Sequence, residues 1–127
     1  MKIAQKLYEM GLITYMRTDN INYSCEGLKM CENYINLHYS TSDKSYYKYK
    51  KYKSIGQDGH EAIRVTNLNE EKELSGELFK VYSLIKENTI LSFMEDSIYL
   101  HKEYICIIDQ YIFSTSVNIL IFDGWEK

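Results

Sequence analysis

The sequence predicts an α+β fold: a helix-rich, helix-turn-helix-like module over residues 1–95, followed by a short antiparallel β tail over residues 96–127. Three observations carry this. Before Asp96 apolar residues recur at helical spacing in separate stretches. After Asp96 they gather into short runs of Ile, Val, Tyr and Phe, residue types that favour a pleated strand. Turn-forming Gly, Asn, Asp and Ser punctuate the chain between these stretches.

Taken in order, residues 2–10 place Ile3, Leu7 and Met10 on one helical stripe, with Gly11 behind them as a left-handed C-terminal cap. Leu12-Ile13-Thr14-Tyr15-Met16 is short, β-branched and aromatic, and reads as a strand or extended stretch. Thr18-Asp19-Asn20 is turn chemistry, and Ser24 is a good N-cap for a second helix with Leu28, Cys31 and Ile35 on one stripe. Three residues beyond Ser24 stands Gly27 where a capping box wants an acid, so that helix start is imperfect. Further on, Asn69 before Glu70-Glu71-Lys72-Glu73 is expected to cap the longest helix, whose first-turn acids suit the positive helix end. Leu74, Leu78, Val81, Tyr82, Ile85 and Phe93 continue it to about Met94 as the spine of the core. In the tail, 104–108 and 111–117 read as two strands joined at Asp109-Gln110, and 119–122 as a third short one.

Composition narrows the class. With 45% hydrophobic and 26% charged residues, the 127-residue chain is built to fold around a core rather than to stay disordered. No apolar run approaches the roughly 20 residues a bilayer span requires, and Met1-Lys2-Ile3-Ala4-Gln5-Lys6 is too polar for a secretory signal. The expectation is an intracellular protein, cytoplasmic or nucleoid-associated, without a membrane partner. Cys25, Cys31 and Cys106 lack the paired spacing of a disulfide framework or a zinc site. The net charge of −3 disfavours nucleic acid as a partner, yet it is unevenly placed. Through Arg64 ten Lys/Arg stand against seven Asp/Glu, and afterwards five stand against eleven. A basic half joined to an acidic one suits a nucleic-acid-facing surface on a scaffold.

Two stretches in the basic half concentrate the chemistry: Gly11-Leu12-Ile13-Thr14-Tyr15-Met16-Arg17-Thr18-Asp19 and Asp58-Gly59-His60-Glu61-Ala62-Ile63-Arg64. Together they supply a phenol, guanidinium groups and an imidazole. A phenol can attack a phosphodiester and leave again, although with a pKa near 10 it needs activation at neutral pH. In an extended segment Tyr15 and Arg17 share a face, which places nucleophile and phosphate clamp together. Between the two stretches, Tyr46-Tyr47-Lys48-Tyr49-Lys50-Lys51-Tyr52-Lys53 interleaves cations with rings. This pattern fits either a single-strand-binding surface or a solvated loop of biased composition.

Leu12-Ile13-Thr14-Tyr15-Met16-Arg17-Thr18-Asp19, followed downstream by His60-Glu61-Ala62-Ile63-Arg64, resembles the active-site tyrosine region of type IA DNA topoisomerases. Phe122-Asp123-Gly124-Trp125 is similar to a segment of bacterial members, so the resemblance spans nearly the whole chain. It implies Tyr15 as the nucleophile that holds a 5′ end of single-stranded DNA as a phosphotyrosine. It implies Arg17 as the phosphate clamp, whose planar fork suits a phosphate gaining charge, and His60 as the imidazole beside the scissile phosphate. Asp19 is a candidate to orient that imidazole. Arg64, Thr18, Asp19, Lys48 and Lys50 are the candidate DNA contacts, with Glu61 behind them. Val65 where members have proline, and Asn20 where they have serine, depart from the pattern.

The resemblance also implies what lies elsewhere. The family's magnesium site, a glutamate with an Asp-x-Asp pattern in a separate domain, has no match here, so Mg2+ is expected for the full enzyme and no metal ligand is assigned in this chain. Residues 1–95 are then expected to be an N-terminally truncated tyrosine domain, and 96–127 a hairpin belonging to the adjoining arch. The partners implied are single-stranded DNA, the missing magnesium-binding and arch domains, and a second copy through the β tail. Without the magnesium-binding domain the chain is expected to turn over little or not at all. A non-catalytic single-stranded DNA-binding module and a degenerate remnant are the alternative readings.

Overall fold

A computed structural model describes residues 1–41, 45–48, 59–69 and 73–127. These contain helices α1 (Lys2–Glu9), α2 (Cys25–His38) and α3 (Gly76–Ser92), strands β1 (Ile98–Ile108) and β2 (Tyr111–Phe122), and a closing 3-10 turn, Gly124–Glu126. The layout is α+β, in two compact units, Met1–Met94 and Glu95–Lys127. No helix among the described residues is long and apolar enough to cross a membrane.

Gly11 ends α1 by the means its position suggests. Its φ of +72° lies where a side chain is strained and glycine is not. That turn brings the Gly11 N–H to Tyr8 O at 2.8 Å and the Leu12 N–H to Leu7 O at 2.9 Å, the paired bonds of a Schellman motif. The chain beyond is thereby aimed straight into the tyrosine segment. Ser24 caps α2, its hydroxyl accepting the Gly27 N–H at 3.1 Å.

The longest helix starts later than its sequence suggests. Asn69 does not cap it: the helix begins only at Gly76, and Asn69 sits in a local turn of its own, where the Asn67 side chain accepts its N–H at 3.0 Å. Glu70-Glu71-Lys72, the expected acidic opening, lies outside the described residues. The N-cap position is Ser75. Along α3 the buried side chains are Tyr82, Thr89 and Ile90, whereas Leu78, Val81 and Ile85 are half-buried. The centre of the unit lies just past the helix end at Phe93, which is fully enclosed.

Phe93 also decides the fate of the tyrosine-rich stretch. Tyr46 and Tyr47 are buried; Tyr47 stacks on Phe93 at 6.3 Å and bridges to Met94, and the Lys48 N–H donates to Phe93 O at 2.7 Å. Tyr23 meets the same ring at 4.7 Å. These tyrosines belong to the core and not to a stacking platform for bases, a correction to the surface reading of 46–48. Lys50 and the remainder of 49–53, like the glycine-rich lead-in 55–58, lie outside the described residues.

In the second unit β1 and β2 form one antiparallel hairpin, closed at Asp109 with φ 51° and running in register from Ile108↔Tyr111 outward. The expected third strand, 119–122, is the continuation of β2. β-branched and aromatic residues recur along both strands and suit the ladder, with only a local irregularity between Ile98 and Tyr99. Gly124 packs its backbone onto residues 95–97, and the Trp125 N–H donates to Glu95 O at 2.9 Å. Along both strands large apolar side chains, among them Ile105, Ile107, Ile112 and Phe113, are exposed.

Candidate active site

The two chemistry-bearing stretches are sewn together by backbone and by two threonine hydroxyls. Ile13 and Val65 form an antiparallel bridge, flanked by Thr14 N–H to Arg64 O at 2.9 Å and Thr66 N–H to Leu12 O at 3.0 Å. Thr14 adds its side chain: Oγ1 donates to Ala62 O at 2.9 Å and accepts the Arg64 N–H at 2.9 Å. Thr66 Oγ1 donates to Gly11 O at 2.7 Å. Ile13 and Val65 are fully buried beneath this seam, so the exposed side chains on either side of it are held by core.

That seam brings Tyr15 and His60 into contact. The two rings lie 4.2 Å apart between centroids, tilted by 31°. On its other side Tyr15 receives Tyr8 of α1 edge-on at 5.4 Å and 73°. The phenol is half-buried and the imidazole exposed, an arrangement that packs the Tyr15 ring while leaving His60 open to solvent.

Arg17 is placed differently from the strand-based expectation. Only Ile13 is paired, and the chain bends after it, so alternation does not carry from Tyr15 to Arg17. Arg17 is exposed and lines an open recess with Met1, Lys2, Gln5 and Glu9. Gln5 and Glu9 stand one turn apart on α1, joined by a 2.9 Å hydrogen bond. Neither residue belongs to a motif, and the one signal in the sequence is their i, i+4 spacing on the helix that precedes the tyrosine segment.

The remaining candidates divide by burial. Thr18 Oγ1 accepts the Asn20 N–H at 3.1 Å, and Asn20 Oδ1 accepts the Asn22 N–H at 2.9 Å, so this loop is built from successive side-chain turns. Asp19 is exposed, and among the described residues it makes no hydrogen bond or ion pair with His60, whose ring neighbour is Tyr15. Lys48 is half-buried.

Arg64 is buried, 5% exposed. Its guanidinium forks onto Glu61, with Nη2 to Oε1 at 2.8 Å and Nε to Oε2 at 3.0 Å. Nη1 donates to Val65 O at 3.0 Å and Nη2 reaches Ser24 Oγ at 3.4 Å. A guanidinium so occupied has no free edge for a phosphate, which tells against Arg64 as a backbone contact. Glu61 Oε2 also accepts the Ser24 N–H at 2.9 Å. Burial pushes the Glu61 carboxyl up, but the hydrogen bonds from Arg64 and Ser24 outweigh it and hold the pKa below the ordinary range.

This pair explains the imperfect cap of α2. In a capping box the acid three residues into the helix bonds back to the N-cap N–H; here Glu61, from a distant part of the chain, makes that bond. Gly27 occupies the acid's usual place because a Cβ there would lie 2.5 Å from Arg64 Nε. None of the three cysteines forms a disulfide among the described residues; Cys31 is fully buried, and burial pushes its pKa up to about 12, which favours the protonated thiol at neutral pH.

A family model described as DNA topoisomerase matches residues 1–127. The chain belongs to the type IA DNA topoisomerases. Similar relatives include DNA topoisomerase 1 of Helicobacter pylori, 37% identical over all of this chain and 19% of its own length, and that of Pasteurella multocida, 36% identical over all of this chain and 15% of its own. The solved structure of full-length topoisomerase I from Thermotoga maritima superposes with a TM-score of 0.79 at 31% identity. It covers 99% of this chain and 22% of that one. This topoisomerase chain thus spans less than a quarter of the length of these relatives, and it includes the seam on which Tyr15 and His60 meet.

Proposed function

We propose that this chain provides the nucleophile of a type IA topoisomerase acting on single-stranded DNA. The observation that carries the reading is the Tyr15–His60 ring contact, held by the seam, with Arg17 two residues further along the chain in an open recess. In the proposed step Tyr15 Oη bonds to the phosphorus of a phosphodiester as the bond to O3′ breaks. The phenolic proton is given up, the 3′ oxygen leaves as a hydroxyl, and the 5′ phosphate stays on the tyrosine. The reverse step reseals the strand. Arg17, permanently charged and exposed, is the donor to the non-bridging oxygens, where charge builds in the transition state. His60, against the phenol, is the polar group best placed to meet the same phosphate.

Thr18, Asp19 and Lys48 stay as proposed contacts to DNA, and Gln5 and Glu9 join them as neighbours of Arg17. Arg64 moves from DNA contact to internal support. Among the described residues no three His, Cys, Asp or Glu side chains converge as a metal site, so no step is derived through a metal on this chain. Magnesium is assigned in this proposal to another domain of the parent enzyme. The exposed apolar hairpin β1–β2 is read as the edge that adjoins the arch or a second copy.

Covalent capture tests the reading. End-labelled single-stranded DNA is mixed with the chain, with and without a magnesium-binding domain supplied from the family, and quenched with denaturant. The expected result is an adduct only with the added domain, absent in Tyr15→Phe. DNA binding without any adduct under either condition would overturn it.

A further inference from the structure

The geometry points to Glu61 and Arg64 as positioning residues that set how His60 meets Tyr15, a role that rests on the active-site reading above. Glu61 is the next residue after His60, and its carboxylate is held at three points: the Ser24 N–H at 2.9 Å, Arg64 Nε at 3.0 Å and Arg64 Nη2 at 2.8 Å. One peptide further, the Ala62 N–H donates to Asn22 O at 2.8 Å and Ala62 O accepts from Thr14 Oγ1 at 2.9 Å. The described bonds that fix the backbone beside His60 thus run through Glu61 to the start of α2, and through Ala62 to the residue preceding Tyr15. The imidazole and the phenol are carried on the two ends of one hydrogen-bonded frame.

Arg64 makes that frame stiff. A bidentate fork defines the carboxylate plane as well as its distance, which a single ammonium cannot do. The Glu61 and Arg64 side chains are only 17% and 6% exposed, so water does not replace a lost partner cheaply. Gly27 clears the space the guanidinium needs, and an added Cβ would meet Nε at 2.5 Å and Cδ at 3.1 Å. Gly27 touches Arg64 yet belongs to α2, so it offers a way to disturb the fork without altering the His60 segment or the charge of the pair.

The test compares the full 127-residue chain with Arg64→Lys, Gly27→Ala and Glu61→Gln by NMR, reading ring-to-ring cross-peaks and ring-current shifts between His60 and Tyr15. Amide spectra of α1 and α3 check that each variant is folded. Loss of the His60–Tyr15 cross-peaks in the folded variants, with the rest of the spectrum retained, is the expected result. Cross-peaks that persist in all folded variants would overturn the proposal and leave the pair as fold support, as would their absence from the wild type. Should Arg64→Lys fail to fold, Gly27→Ala and Glu61→Gln report on the same fork. Single-turnover adduct formation, with the magnesium-binding domain supplied, separates the two readings. An adduct that forms more slowly in the variants at unchanged DNA affinity supports positioning. An adduct that forms at the wild-type rate after the ring contact is lost overturns it. A wild type without any adduct, whose ring contact still depends on Arg64, defeats the nucleophile reading alone.

Discussion

Gly27 and Arg64 compete for one volume: a Cβ on the glycine would sit 2.5 Å from the arginine Nε, nearer than two such atoms can approach. A flexible side chain usually swings away from an intruding methyl group. Arg64 is tied to Glu61 by two bonds and to Val65 O by a third, so it cannot move without breaking them. Gly27→Ala is therefore expected to destabilise the chain by about 1–3 kcal/mol, as overpacked interiors do, despite alanine's better helix propensity. Urea unfolding checks this, and an alanine variant as stable as wild type would show that the fork yields.

Glu61 links stability to pH. Its carboxyl is held below the ordinary value of 4.5, burial opposing and the bonds from Arg64 and Ser24 prevailing. A group whose folded pKa is depressed stabilises fully above its unfolded value and loses that contribution as pH falls through the folded one. Thermal stability attributable to Glu61 is thus expected to be level above about pH 5.5 and to decline from about pH 4.5 downward. Comparing melting curves of wild type and Glu61→Gln across that range isolates the effect. A constant difference between the two would mean that the pair contributes nothing through its charge.

The helix-forming and hairpin segments were legible because their signals are local. Gly11 behind a helical stripe specifies a Schellman turn, Ser24 caps α2, and Asp109-Gln110 closes the hairpin. The failures come from partners far away in sequence. Tyr46 and Tyr47 look like surface rings among lysines, yet both are buried, Tyr47 against Phe93. The same holds at the site. Tyr15 and His60 were found by resemblance, but their ring contact depends on the seam between Ile13 and Val65. The enclosure of Arg64 depends on Ser24 and Gly27, which lie far upstream in the chain. A Gly in the acid's place of a capping box was the one sequence clue, and it reads correctly only when Glu61 is seen to supply the missing acid.

Gly11 carries a second, simpler prediction. With φ at +72° and open space around its Cα, substitution meets no clash and costs only the left-handed conformation. Gly11→Ala is expected to lose about 1 kcal/mol, and Gly11→Asn less, because asparagine tolerates this region better. Ranking the two by denaturation midpoint checks it. Equal costs would mean that the turn relaxes away from positive φ when glycine is removed.

Thr14 stands directly before Tyr15 and satisfies two backbone groups of the seam, donating to Ala62 O and accepting from the Arg64 N–H, each at 2.9 Å. Valine keeps its shape and its β-branching but can do neither. Thr14→Val therefore leaves a backbone donor and a backbone acceptor without their hydroxyl, at a cost of about 1–3 kcal/mol. Thr14→Ser keeps the hydroxyl and is expected to lose much less. Amide exchange at Arg64 gives the local readout, since its N–H bonds to this hydroxyl. Exchange should quicken in Thr14→Val and stay slow in Thr14→Ser. If valine left that amide as protected as threonine does, the seam would be held by its backbone bonds and Thr66, and the frame that carries Tyr15 to His60 would owe nothing to the side chain at position 14.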